Sequence, residues 1–246
     1  MSRSGVIAEI ASVEFRCGPH DWVWAREEAA QIDAHWARRV AAQPGLFDGR
    51  VFLASSVEIE PGNSILRAVA FETDFRNFLA WRDFGFPGEG VFNLFSMGAL
   101  LSADGAFITG EMGPGTASAG LRYFPAGTPD PSDARDGQVD LEANVLRELR
   151  EETGIAPADV TVEAGWSVVF DGARIACMKR LLSPLSADDI VTGFKHFHAR
   201  EQNPELAALV PVTSVAGFDE SGMPGFMTAY LRHAFAEASG VRARSA

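Results

Sequence analysis

Lysine is almost missing from this chain: of its 21 basic residues only Lys179 and Lys195 are lysines, against 33 acidic residues and a formal net charge of −12. Phosphate backbones reward basic stripes, so the composition excludes an extended nucleic-acid surface. An anionic small molecule remains admissible if a metal supplies the local positive charge. Cysteine is equally scarce. Cys17 and Cys177 make neither a disulfide framework nor a metal-binding set, and a reducing, cytoplasmic setting is the simplest expectation. No apolar run reaches the roughly 18 residues of a membrane span, and residues 1–10 lack the sustained apolar core of a signal peptide, so no membrane partner is expected. Repeats and low-complexity tracts are absent. The Gly-rich stretch 113–120 lacks both the Lys-Ser/Thr of a P-loop and GxGxxG spacing, and reads as a hairpin loop. His196 and His198 show no metal-ligand spacing with the glutamates and read as structural or exposed.

What the chain does have is a run of carboxylates on one helical turn. Residues 147–155 read Arg-Glu-Leu-Arg-Glu-Glu-Thr-Gly-Ile. Glu148, Glu151 and Glu152 stand at i, i+3 and i+4, on one helical face, where like charges repel unless something positive sits among them. A hard divalent cation such as Mg²⁺, which takes oxygen ligands, is the obvious candidate. Asp140 is placed to cap the helix, and Gly154 fits the left-handed position that ends it. Leu141, Val145 and Leu149 form the buried stripe, with Leu146 beside it and the carboxylates expected opposite. Arg147 lies four residues before Glu151, close enough to orient it. Glu-rich helices are usually just solvated faces, and only the continuation into Thr-Gly-Ile sets this one apart.

The stretch matches Arg-Glu-U-x-Glu-Glu-x-Gly-U, with U a bulky aliphatic residue, and a chance match in a chain this long is on the order of 10⁻⁵. It resembles the second half of the box of the Nudix hydrolase superfamily. The first half departs from the pattern: Asp133 and Val139 stand where the family has Gly and Glu. A Pro-Ala-Gly-Thr run, Pro125 to Thr128, resembles the family's entry loop displaced upstream, which implies an insertion around Asp130 to Asp136. Asp140 or Glu142 could stand in for the fourth box carboxylate.

Elsewhere, a helix is expected over Glu27 to Ala42, then strands Val51 to Glu60 and Ser64 to Glu72 around Pro61-Gly62-Asn63, and a short helix from Phe75 to Phe84. Phe92 to Leu101, Ala106 to Glu111 and Leu121 to Phe124 read as strands. After the box, strands are expected at Val160 to Ala164, Trp166 to Phe170 and Ala173 to Leu181, and helices at Ser186 to about Gln202 and Ser221 to Ala238. The pattern is α+β. The resemblance implies an α/β/α sandwich, a Nudix-type mixed sheet between helices, over residues 91–246, with residues 1–90 as an N-terminal accessory α/β layer. The layout of residues 35–100 loosely resembles members that act on UDP-sugars.

The resemblance implies Mg²⁺-dependent hydrolysis of the pyrophosphate bond of a nucleoside diphosphate derivative, a nucleotide sugar first, with Mn²⁺ as a substitute ion. A dinucleotide or coenzyme A pyrophosphatase, or a non-catalytic nucleotide sensor, is the alternative. Glu148, Glu151 and Glu152 are the expected metal ligands. Glu151, Glu152 or a later carboxylate, Glu201 or Glu205, would serve as general base. Arg122, Gly127 and Arg147 are the expected substrate contacts, with Arg180 and Lys195 as further phosphate candidates. Trp81, Phe92 or Phe95 could stack on a base, although aromatics at such positions are more often core. The resemblance leaves a homodimer open, the N-terminal layer either pairing subunits or capping the pocket.

Overall fold

The structure is a computed structural model that describes residues 5–244 except 61, 63, 117, 218, 219 and 221, with side chains to 238. The chain enters through β1 (Val6–Ile10) and β2 (Ser12–Cys17), followed by α1 (Val23–Glu27) and α2 (Ala29–Ala42). A long hairpin, β3 (Arg50–Glu60) and β4 (Ile65–Asp74), leads into α3 (Phe75–Asp83). Next come β5 (Asn93–Leu101), β6 (Phe107–Met112) and β7 (Arg122–Tyr123). A 3-10 turn, Pro131–Asp133, and a short hairpin, β8 (Ala134–Arg135) and β9 (Gln138–Val139), deliver the chain to α4 (Leu141–Thr153). The remainder is β10 (Thr161–Val162), β11 (Trp166–Asp171), β12 (Arg174–Leu182), α5 (Ala187–His198), β13 (Leu206–Val212) and α6 (Gly225–Arg244).

Two mixed sheets result. The larger runs β1-β11-β12-β5-β6-β13, with β10 on β12 and β7 on β6, and its β12–β5 pair is parallel. Alternation along β5 sorts the two faces. Leu94 and Leu100 point to α4 and α5, meeting Leu141, Val145, Leu149, Ile190 and Phe194. Phe95, Met97 and Ala99 point the other way, to Phe226, Met227, Tyr230 and Leu231 of α6. The expected α+β sandwich, a mixed sheet between helices, is therefore present. The smaller sheet runs β3-β4-β2-β9-β8 and carries α3 against β3 and β4.

Strands cross between the sheets. β1 pairs with β11, from Val6↔Phe170 to Ile10↔Trp166, while β9 meets β2 at Arg16↔Gln138. Ala54 and Phe92 exchange both main-chain hydrogen bonds at 2.8 Å, and one hydrophobic core spans both sheets. The expected division into 1–90 and 91–246 thus follows no gap in the packing.

Several elements differ from expectation. β1, β2 and β13 were not anticipated, because their partners lie far along the chain. The helix placed at Ser186 to Gln202 stops at His198, where Arg200 and Glu201 N–H groups turn back to Phe197 and His198 carbonyls at 2.9 and 3.1 Å. Glu201 and Glu205 therefore stand in a loop. The last helix starts at Gly225, after Pro224, and Ser221, the expected start, lies outside the described residues, as do Pro61 and Asn63 of the expected hairpin turn. The insertion folds as a hairpin with Asp136 and Gly137 at φ 51° and 76°, the backbone that Asp-Gly favours in a tight turn.

Candidate functional site

Helix α4 is capped as its sequence dictates. The Asp140 carboxylate accepts from the Ala143 N–H at 3.0 Å, and Gly154 adopts φ 77° at the other end. The expected stripe of Leu141, Val145 and Leu149 is buried. The carboxylates are not opposite it in solvent, as periodicity suggested. Glu148 and Glu152 are only 9% and 6% exposed, and Glu151 alone faces outward. A helix wheel could not show why: the Pro125–Thr128 loop folds over them. The Ala126 N–H donates to Glu152 Oε2 at 3.3 Å. A Cβ on Gly127 would lie 2.0 Å from Glu148 Oε1, so any larger residue there would displace the Glu148 carboxylate from this position.

Arg147 is the hub of the charges. Its Nη1 lies 2.9 Å from Glu148 and 3.0 Å from Glu151. Its other nitrogens reach Asp133 at 3.1 to 3.3 Å. Burial opposes the guanidinium charge, but Glu148, Asp133 and Glu151 outweigh burial and hold it firmly protonated. Asp133, in the inserted segment and 5% exposed, also accepts from Asn144 Nδ2 at 2.9 Å and from the Asp130 N–H at 3.0 Å. The Ser96 hydroxyl completes the network, 2.7 Å from Asn144 Oδ1. Neither Asp140 nor Glu142 is therefore the extra carboxylate. Asp140 is occupied as a cap, and Glu142 pairs with Lys179 at 2.9 Å. The residue that departs from the box pattern, Asp133, is the buried carboxylate that holds Arg147.

The three box glutamates line one cavity of about 150 Å³ together with His198, Glu201, Asn203, Pro204 and Glu205. Glu201 and Glu205 are both exposed where they line it. Glu205 is among the charges that raise the pKa of both Glu148 and Glu152. Its carbonyl is tied to the Gly113 N–H at 2.6 Å. His198, read from sequence as structural or exposed, belongs to the cavity wall. A second cavity of about 500 Å³ adjoins the first, with Gly127 and Glu205 between them. It is lined by Phe75, Phe78 and Arg82 of α3, Asn93 and Phe95 of β5, and Arg174 and Phe226, among others. The N-terminal layer thus contributes a wall of this pocket.

Other expected contacts go elsewhere. Arg122 lies on β7 and lines neither cavity. Arg180 pairs with Glu163 and Glu237 at 3.7 and 3.5 Å, and Lys195 lies exposed on α5. Trp81 is core, donating its indole N–H to the Pro87 carbonyl at 2.9 Å, and Phe92 packs against the main core. Of the three aromatic candidates only Phe95 reaches the larger cavity. Sequence reasoning missed Asp133, Asn93, Arg174 and His198, and only the Asp-Gly turn beside Asp133 offered a signal.

The donor set fits a hard divalent cation: carboxylate oxygens from Glu148, Glu151 and Glu152, with Glu205 adjacent, around a cavity large enough for an ion. The fit requires movement. Among the described residues the acidic and histidine set whose ligand atoms lie within 4.8 Å of one another is Glu9, His233 and Glu237. That exposed set is accounted for by ion pairs of His233 with Glu9 and Glu237 at 3.0 and 3.5 Å. We favour the box glutamates as the cation site, because two of their carboxylates are buried and strained by their charge. Burial chiefly, then Glu151, Glu205 and Asp133, push Glu148 up to about 7 against the pull of Arg147. Burial, Glu148 and Glu205 raise Glu152 well above the usual carboxylate range.

A pH dependence follows. A carboxyl whose folded pKa exceeds its unfolded value supports the fold below the unfolded pKa, and that support is lost as pH passes the folded one. For Glu148 the window runs from 4.5 to about 7. At roughly 1.4 kcal/mol per unit this is a loss of about 3 kcal/mol, or very roughly 5–10 °C in melting temperature. In chelator, wild type should therefore fall progressively below Glu148→Gln in melting temperature across that window. A constant difference between the two would show that the Glu148 carboxyl is not strained.

No family model matches this chain. No curated protein matches it either. Solved structures do. A Nudix hydrolase from M. smegmatis, RenU, is 14% identical over 60% of this chain and 84% of its own, with a TM-score of 0.38. A MutT protein from Methanosarcina mazei is 17% identical over 60% of this chain and 95% of its own, at 0.39. The Nudix domain of NrtR from Shewanella oneidensis, solved with ADP ribose, is 16% identical over 63% and 89%, at 0.38. All three likenesses are distant. Among the described residues, no helix is long and apolar enough to cross a membrane.

Proposed function

We propose that this protein is a Nudix-type, Mg²⁺-dependent pyrophosphohydrolase of a nucleoside diphosphate linked to another group, a nucleotide sugar first, with Mn²⁺ as a substitute ion. The observation that carries the reading is the burial of Glu148 and Glu152 under the Pro125–Thr128 loop, at the junction of an acidic and an aromatic-walled cavity. Two buried carboxylates, of which Arg147 pairs with Glu148 and not with Glu152, are costly, and a divalent ion would offset that cost.

When bound, the ion neutralises diphosphate charge and makes a bound water more acidic. Glu148, Glu151 and Glu152 would hold it. Arg147, fixed by Asp133, orients Glu148 and Glu151. Gly127, with no side chain, lets the entry loop lie directly against the Glu148 carboxylate and brings its main chain to the place where a phosphate would sit. Glu201 and Glu205, which line the same cavity, are the candidate proton acceptors, and Glu205 also raises the pKa of Glu148 and Glu152. The wall supplied by Phe75, Phe78 and Arg82 supports a ligand with a sizeable group beyond the phosphates. The loose layout resemblance to UDP-sugar hydrolases puts that class ahead of dinucleotides and coenzyme A.

The test is release of nucleoside monophosphate from UDP-sugars, ADP-ribose, dinucleotides and coenzyme A, with and without Mg²⁺. Metal-dependent release from a sugar nucleotide is the expected result. An inert protein that still binds a nucleotide would instead be a sensor.

A further inference from the structure

Two residues in the wall of the larger cavity each carry a buried polar atom that the fold leaves without a partner, and a ligand there would reach these atoms once the side chains turn toward it. Asn93 is 8% exposed, and its Oδ1 meets no hydrogen-bond donor among the described residues. The buried Nε of Arg174 meets no acceptor there. The two residues are register partners on the parallel strands β5 and β12, so they share a sheet face, and both line this cavity. Buried polar atoms are normally paired, so two orphans side by side in a cavity wall are the mark of a ligand edge.

The chemistry of that edge is specific. Asn93 Oδ1 accepts and Arg174 Nε–H donates, so the complementary ligand presents a donor next to an acceptor. Arg174 is not a free phosphate clamp, because its Nη2 is held by Asp171 at 2.5 Å. Its guanidinium lies 5.4 Å from the centre of the Phe226 ring, and Phe226 meets Phe95 edge-on at 5.4 Å. Flat apolar walls beside an adjacent donor and acceptor suit a planar heterocycle. Every nucleobase carries such an edge.

We propose that Asn93 and Arg174 read the base of the nucleotide whose phosphates lie at Glu148 and Glu152. The assignment rests on the nucleotide reading above for the phosphate end of the ligand. It names the base-recognising residues, which that reading leaves open.

The experiment is calorimetric titration of the full chain, in Mg²⁺, with the 5′-monophosphates of uridine, cytidine, adenosine and guanosine, and with ribose 5-phosphate as the base-free probe. At least one nucleotide should bind tenfold or more tightly than ribose 5-phosphate. Asn93→Ala should weaken that nucleotide about tenfold and leave ribose 5-phosphate unchanged, as for loss of a hydrogen bond in a desolvated site. Removing an orphaned acceptor should not lower the melting temperature, which separates lost recognition from misfolding. Arg174→Lys, which keeps the charge and moves the donor, should produce the same selective loss. Equal binding of nucleotides and ribose 5-phosphate, no nucleotide binding at millimolar concentration, or unchanged nucleotide affinity in both variants overturns the proposal. Hydrolysis by wild type that neither variant alters in KM sinks the base site and spares the hydrolase. Asn93-dependent binding without turnover does the reverse.

Discussion

Glu152→Gln is expected to lower turnover on the order of 10³-fold while raising the melting temperature of the chelated protein at alkaline pH, where the carboxyl is forced to ionise. The two effects share one cause. Glu152 is buried, and its ionised form is opposed by burial, by Glu148 and by Glu205, while the Ala126 N–H donates a hydrogen bond to it. Gln keeps an oxygen for that N–H and deletes the charge, so the fold gains what the carboxylate costs. Catalysis loses a ligand whose ion contributes several kcal/mol to the reaction, at about 1.4 kcal/mol per tenfold in rate. Thermal unfolding with and without Mg²⁺ supplies the control: the variant should respond less to the ion than wild type does. Turnover within a few-fold of wild type, or a variant less stable in chelator, would remove Glu152 from the centre of the site.

Asp133→Ala should act in the opposite sense, harming fold and activity together. Asp133 accepts from Arg147, Asn144 and the Asp130 main chain, so truncation takes one of three carboxylates from a part-buried guanidinium and removes the acceptor of the buried Asn144 Nδ2. Removing one partner of a buried ion pair costs about 3–5 kcal/mol. Arg147 is 31% exposed at its side chain, which places this case near about 3 kcal/mol, because water takes over part of the lost role. Freed from Asp133, Arg147 can turn wholly to Glu148 and Glu151 and compete with the cation. More Mg²⁺ should then be needed for half-maximal rate. Asp133→Asn, which can still accept, should be milder in both readouts. Denaturant unfolding and a Mg²⁺ titration of the rate check this, and a stable variant with normal Mg²⁺ dependence would reduce Asp133 to an ordinary loop residue.

Local structure in this chain was legible where local chemistry determines it. Asp140, the Leu141, Val145 and Leu149 stripe, and Gly154 mark α4, and all three features are present. Long-range pairing was not legible. β1 reads as a short mixed run until β11, about 160 residues away, covers one of its edges. The burial of Glu148 and Glu152 was equally hidden, because it is made by the Pro125–Thr128 loop and not by the helix. Asp133 looked like a defect in a motif. Its role emerges only when Asp136 and Gly137 reverse the chain and return it to α4.

The strand exchange between the two sheets bears on how this protein can diversify. A segment that gives its first strand to one sheet and receives a hairpin on the other cannot be replaced as a cassette. Evolution of new ligand preference here is channelled into single replacements along the pocket wall, at positions such as Phe75, Phe78 and Arg82, while the wiring between layers stays fixed.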